Sequence, residues 1–321
     1  MKKISRILLF FLIFALLLAP VTLLLIPKDN TEEAGMLRVE ANGIRSQPKD
    51  SIDVIFLGTS EILCGISPLD IWEQSGITGF NCAGSNLHFL ESIDLLETAF
   101  QTQSPKVVVV GTDMFAYECH YYDILSHKIT KNLQIISYHD RWKSLTAADF
   151  FRLPHYTAPG ETRGFHAKAG AKTADVSHYM EPSEERIHVS RWNVFCLKEI
   201  DALCRKNGAK LMLYSVPCTT IWTYSRHNTM SDLAQSMGIP YVDGNLSDLG
   251  LDWTRDSVDG GVHMNHLGAE KIAHFFADYL KERYDLPDHR KDPAYAGWDT
   301  DTQALRRLEA QLEEKTKDTD L

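Results

Sequence analysis

Two segments at opposite ends of the chain carry side chains that could do covalent chemistry together. The first is Gly58-Thr59-Ser60-Glu61, directly after the apolar run Asp53–Leu57. The second is Asp256-Ser257-Val258-Asp259-Gly260-Gly261-Val262-His263-Met264-Asn265, where a histidine follows two carboxylates on a glycine-containing loop. A serine hydroxyl is a weak nucleophile until a base takes its proton, and imidazole is the base suited to neutral pH. A carboxylate behind the imidazole fixes its tautomer and supports the imidazolium. Taken separately, each segment also has a plain structural use. Ser60 could cap a helix, and His263 with Asp259 could satisfy backbone groups in a capped loop.

Such a pair works only if the fold carries both segments to one place. Asp53–Leu57 (DVIFL) is short, apolar and stopped by glycine, the pattern of a parallel strand buried on both faces. Lys106–Val110 (KVVVV) and Lys210–Ser215 (KLMLYS) repeat it, with shorter candidates at Thr78–Asn81 and Pro240–Val242. Between them, 87–100, 192–206, 230–237 and 266–284 read as helices. Strand–helix alternation over 53–112 and 192–284 predicts an α/β fold, a three-layer α/β/α sandwich on a flavodoxin-like parallel sheet. Open sheets of this kind bind ligands at the carboxyl ends of their strands. Ser60 would stand there, with the next helix N-terminus offering N–H groups to an oxyanion. Residues 114–191 break the alternation, are aromatic and histidine-rich, and read as an insertion over that edge.

Four blocks in order resemble the SGNH/GDSL hydrolases: Asp53-Val-Ile-Phe-Leu-Gly-Thr-Ser60, Phe80-Asn-Cys-Ala-Gly84, Val110-Gly-Thr-Asp113 and Asp259…His263-Met-Asn-His-Leu-Gly268. The resemblance spans roughly residues 50–285 and implies acyl-ester chemistry. It makes Ser60 the nucleophile, His263 the base and Asp259 the acidic partner, with the oxyanion hole at the N–H groups of Ser60 and Gly84 and the position of Asp113. Two departures stand out. Asp113 occupies the place of an asparagine that donates to the oxyanion, so Asn86 is a substitute donor. The acidic partner normally lies three residues before the histidine, where this chain has Gly260; Asp259 is favoured over Asp256, because Gly260-Gly261 could let the loop bulge.

Ile7–Ile26 is an uncharged apolar run of 20 residues behind Lys2, Lys3 and Arg6. At 1.5 Å per residue it matches a hydrocarbon core of roughly 30 Å. It is longer than the apolar core of a cleaved signal peptide, and no clear cleavage site follows. The expected order is therefore a cytoplasmic N-terminus (1–6), a single-pass signal-anchor (7–26), a stalk (27–50), the SGNH-like domain (51–285) and a polar, helical tail (286–321). The catalytic domain would then lie outside the cell membrane. The whole chain has a formal charge of −10, and without its three basic N-terminal residues 30 basic face 43 acidic side chains, a charge of −13. That argues against nucleic acid as a partner.

The six cysteines form no CxxC pair and the 13 histidines no HxxxH or HExxH pattern, so no metal site and no cofactor is expected. No GxGxxG or Walker sequence supports nucleotide or flavin binding. Membrane-anchored relatives in this resemblance serve teichoic-acid and exopolysaccharide acylation and accompany a membrane-bound O-acyltransferase. The expected function is thus an extracytoplasmic serine esterase or O-acyltransferase on acyl esters of a cell-envelope glycan or related polymer. The runner-up is an inactive envelope scaffold or glycan-binding protein. Arg141 suits an anionic substrate group, and Trp142 and Trp222 suit a sugar ring.

Overall fold

The computed structural model describes residues 2–131 and 133–319. Five parallel strands form one sheet: β1 (Val54–Leu57), β2 (Gly79–Asn81), β3 (Val107–Gly111), β4 (Lys210–Ser215) and β5 (Tyr241–Asp243). Their spatial order is β2-β1-β3-β4-β5, the flavodoxin-like order. Register runs Val54↔Gly79 on one side of β1 and Val54↔Val107 on the other. The helices are α1 (Lys2–Leu25), α2 (Ser60–Gly65), α3 (Pro68–Ser75), α4 (Phe89–Ala99), α5 (Tyr121–Thr130), α6 (Arg191–Lys206), α7 (Tyr224–Met237), α8 (His266–Arg283) and α9 (Ala296–Thr319), with shorter turns between them.

Strand side chains alternate between two covered faces, which is why the strands read as unbroken apolar runs. Val54, Phe56, Val107, Val109, Met212 and Tyr214 join one core cluster with Ile272 and Phe276 of α8. The Phe276 ring meets Phe56 and Tyr214 edge-on at 5.7 and 4.5 Å. Truncating a fully buried phenylalanine of this kind costs about 3–5 kcal/mol. Helices α4 and α6 pack together, α6 also touches β4, and α8 packs on α2 and α3. Helix α3 shows the local logic in full. Ser67 caps it, accepting from the Asp70 N–H, Pro68 opens it, and Gly76 ends it at φ +74°.

The chain divides into two compact units. One holds residues 1–39 and 121–158, the other 40–120 and 159–321. The insertion is therefore not a single body: residues 121–158 share a unit with the N-terminal helix, whereas 114–120 and 159–191 belong to the sheet unit. The stalk reading also needs correction for 40–50, where Ala41 and Ile44 are fully buried. The C-terminal helix is likewise no free tail. Trp298 and Leu305 of α9 are buried, Trp72 donates to Asp299 at 2.9 Å, and Arg306 pairs with Asp70 and Glu73.

Candidate active site

Strand β1 ends at Leu57, and the turn Gly58-Thr59 delivers Ser60 as the first residue of α2. A methyl group on Gly58 would overlap the Ile62 side chain, and one on Gly111 would overlap both Ile62 and Asp113. The two glycines thus let β1, α2 and the end of β3 approach closely, with Ser60 part-exposed above them. The Ser60 N–H belongs to the first turn of α2, where backbone donors have no partner within the helix.

Residues 256–265 form a tight loop before α8. Ser257 and Met264 make an antiparallel bridge, and the Ser257 hydroxyl accepts from the Gly261 N–H at 2.6 Å and donates to the His263 carbonyl at 3.1 Å. Gly260 and Gly261 take φ of +89° and +108°, values that a side chain would make strained. Asn265 then caps α8, accepting from the Gly268 N–H at 3.1 Å while donating to the Gly170 and Arg255 carbonyls. Gly268 must be glycine because a Cβ there would stand 2.5 Å from the Asp256 carbonyl oxygen. Outside the loop, Thr219 N–H donates to Gly261 O and Lys172 N–H to Ser257 O, both at 2.8 Å, bracing it from the β4–α7 connection and from the later part of the insertion.

This scaffold brings Ser60, His263 and Asp259 into one chain of hydrogen bonds. Asp259 Oδ2 lies 2.6 Å from His263 Nδ1, and His263 Nε2 lies 2.8 Å from Ser60 Oγ. An ionised carboxylate only accepts, so Nδ1 carries the proton and Nε2 is left to accept from the serine hydroxyl. Asp259 Oδ1 also accepts from the Val262 and His263 N–H groups at 3.1 and 2.9 Å. Partial burial alone would raise the Asp259 carboxyl. The hydrogen bonds and charge of His263 outweigh it and hold the group below the usual carboxylate range. Asp256 serves elsewhere: buried, it accepts from Lys271 Nζ at 2.6 Å and from the Asp252 N–H at 2.7 Å.

The other expected site residues fall differently. Asp113 is buried beneath the Gly58-Thr59 turn and does not front an oxyanion. Its Oδ2 accepts from the Thr59 N–H at 2.8 Å and the Thr59 hydroxyl at 2.6 Å, and its Oδ1 from the Met114 N–H at 3.1 Å. The Gly84 N–H is engaged at 3.3 Å with the Gly58 carbonyl. Asn86, at φ +53°, accepts from the Tyr117 hydroxyl at 2.7 Å, which leaves its amide NH₂ for another partner. Trp222 is no sugar platform: it is buried and donates to Asp243 at 3.0 Å, in a cluster that also holds His227 and Tyr241. Arg141 is no substrate ligand either. It is buried in the other unit, with Nη1 on the carbonyls of Leu25 and Ile26, both at 2.9 Å, and Nη2 on Asp149 at 2.7 Å. Trp142 belongs to that unit too, and is exposed.

Two charged residues to which the sequence reading gave no role meet next to the site: Glu61, which directly follows the serine, and Arg226, whose charge acts on Glu61. Glu61 is buried and makes no side-chain hydrogen bond among the described residues; burial, with the neighbouring Asp113 carboxyl, pushes its own well above the usual range. Arg226, from the first turn of α7, opposes that rise through its charge, and its guanidinium makes no hydrogen bond or ion pair among the described residues. The signal for Glu61 was its position directly after the candidate nucleophile. Nothing local marks Arg226.

No family profile and no curated protein matches this chain. Solved structures do. A GDSL-like lipase of Bacteroides thetaiotaomicron is 12% identical, with 76% of this chain and 100% of that chain covered and a TM-score of 0.38. A lipase/acylhydrolase of Enterococcus faecalis is 11% identical over 74% of this chain and 99% of that chain, at a TM-score of 0.38. Neither fixes an activity or a substrate for this chain.

Proposed function

We propose that this chain is a serine esterase or O-acyltransferase of the SGNH type, held at the outer face of a cell membrane by α1 and acting on acyl esters of an envelope glycan or related polymer. The observation that carries this reading is the hydrogen-bonded series Ser60–His263–Asp259 at 2.8 and 2.6 Å on the carboxyl edge of a parallel sheet. Ser60 Oγ attacks the acyl carbonyl carbon as its proton passes to His263 Nε2. Asp259 supports the imidazolium, and the negative charge gathers on the carbonyl oxygen. The Ser60 N–H, in the first turn of α2, is the donor we assign to that oxygen, and the Gly84 N–H becomes a second if it exchanges the 3.3 Å bond to Gly58 for the oxyanion. As the tetrahedral species collapses, His263 returns its proton to the leaving alkoxide and the acyl group stays on Ser60. Water then yields hydrolysis, or a glycan hydroxyl yields transfer, with His263 again taking and returning one proton. A membrane-bound O-acyltransferase is the natural donor partner for the second course.

The apolar helix supports the placement: α1 contains a 23-residue span, Lys3–Leu25, with an 18-residue window of mean hydropathy 3.0, long and apolar enough to cross a membrane. The test is turnover of an aryl acetate and of an acylated glycan by Ser60→Ala. Loss of turnover is expected, and unchanged turnover refutes the reading. One observation favours the alternative of an inactive scaffold or glycan-binding protein, namely that the Gly84 N–H is engaged and Asp113 offers no donor. That alternative predicts glycan binding with no labelling of Ser60 by a fluorophosphonate.

A further inference from the structure

The unit formed by residues 1–39 and 121–158 contains more than an anchor. Outside α1, fourteen large apolar side chains are classed as exposed among the described residues, and nine of them lie between Tyr121 and Leu153. Phe151 is 89% exposed, Leu153 84%, Tyr122 74%, Trp142 66% and Phe150 63%. An apolar surface of this density is rare on a protein facing only water. The stretch 121–158 also reverses the sign of the molecule. It carries five basic and three acidic residues within a chain of net −10.

The same stretch is fastened to the end of the apolar helix. The last carbonyls of a helix have no partner inside it, and in an apolar medium each must be satisfied. Arg141 supplies the donors. Its Nη1 reaches Leu25 and Ile26 at 2.9 Å and Leu24 at 3.4 Å, and Asp149 holds its Nη2 at 2.7 Å. The cation also sits at the negative end of the helix dipole. Asp149 is fixed in turn by the Thr146 N–H and hydroxyl at 2.8 and 2.9 Å. Beside this cluster is a cavity of about 450 Å³ lined in part by Lys28, Arg152 and His155. The Arg152 side chain makes no hydrogen bond or ion pair among the described residues.

We propose that residues 121–158 form a collar that lies in the headgroup–acyl boundary of the leaflet in which α1 ends, with its aromatic and aliphatic side chains against lipid and its cations toward anionic headgroups. Aromatic side chains at a helix end, with Lys and Arg nearby, are the composition of a membrane interface. The collar rests on the reading of α1 as a retained membrane helix, and it gives that helix a partner that a removable leader would lack.

The experiment uses the full chain, one copy per nanodisc of phosphatidylcholine and phosphatidylglycerol. A nitroxide is attached at Leu12→Cys, Phe151→Cys or Gln235→Cys in a Cys119→Ser background; the other five cysteines are buried. Power saturation compares accessibility to oxygen, which partitions into lipid, with accessibility to a water-soluble nickel chelate. The labels at Leu12 and Phe151 should favour oxygen and the label on α7 at Gln235 should favour nickel. A Phe151 label matching Gln235 while Leu12 remains in lipid overturns the collar and leaves the anchor standing. Nickel access at Leu12 overturns both. A Phe151 label shielded from both reagents shows a protein surface covering the patch and overturns the lipid assignment.

Discussion

Replacing Asp113 with asparagine separates two opposite accounts of the site. If Asp113 faced the oxyanion, the substitution would remove a repelling charge and install a donor, and turnover would rise by about 10²–10³-fold, the worth of one such donor. The geometry predicts the reverse. The polar groups that meet the carboxylate are donors: the Thr59 N–H, the Thr59 hydroxyl, the Met114 N–H and the backbone N–H of Ile62. An asparagine offers one oxygen and one NH₂, so at least one buried backbone N–H would face another donor. An unpaired buried group costs about 1–3 kcal/mol. In a domain of this size that lowers the melting temperature by about 2–12 °C. Relief of the buried charge, which burial pushes toward protonation, brings the result toward the lower end. Because Thr59 directly precedes Ser60, loosening the turn also misplaces the nucleophile, and a displacement of about 1 Å is worth roughly a hundredfold in rate. Calorimetry and aryl acetate turnover of Asp113→Asn should both fall. A variant that is faster than the parent refutes the assignment of Asp113 to the turn.

The two acidic candidates behind His263 should part cleanly. Asp259→Asn should lower kcat by about 10⁴-fold, since an amide cannot hold the Nδ1–H tautomer, whereas Asp256→Asn should cost about 1–3 kcal/mol of stability through Lys271 and leave kcat nearly intact; equal kcat losses in steady-state assays would contradict this. Glu61 sets a pH trend. Its carboxyl is raised by burial, so from about pH 4.3 upward the unfolded chain releases a proton that the folded chain keeps, and stability falls as pH rises through that window. Denaturant midpoints across pH should therefore show Glu61→Gln gaining on the parent as pH increases, and parallel curves would refute it.

The sheet was legible because its strands are buried on both faces. Val107–Val110 and Leu211–Leu213 need no alternation to be read, and they pair as parallel neighbours although the whole insertion lies between them. The loop at 256–265 was legible from Gly260-Gly261 and from His263 following two carboxylates. What failed were inferences from side-chain type without knowledge of the partner. An arginine can bind an anion or close a helix, and Arg141 finds its carbonyls 115 or more residues away. Trp222 can stack on a ligand or donate into a core, and its acceptor Asp243 lies on β5, beyond the whole of α7. Residues 121–158 showed no period because most of their apolar side chains point outward.

The unit around α1 is assembled from two stretches separated by the whole of β1, β2 and β3. Arg141 can reach its helix only after synthesis has passed the first half of the sheet. Helix α1 is accordingly not an interchangeable module. Exchanging α1 for another apolar helix, or trimming the chain at residue 39, would strand a buried guanidinium and leave nine exposed apolar side chains without their support. A form without α1 calls for removal of both stretches together.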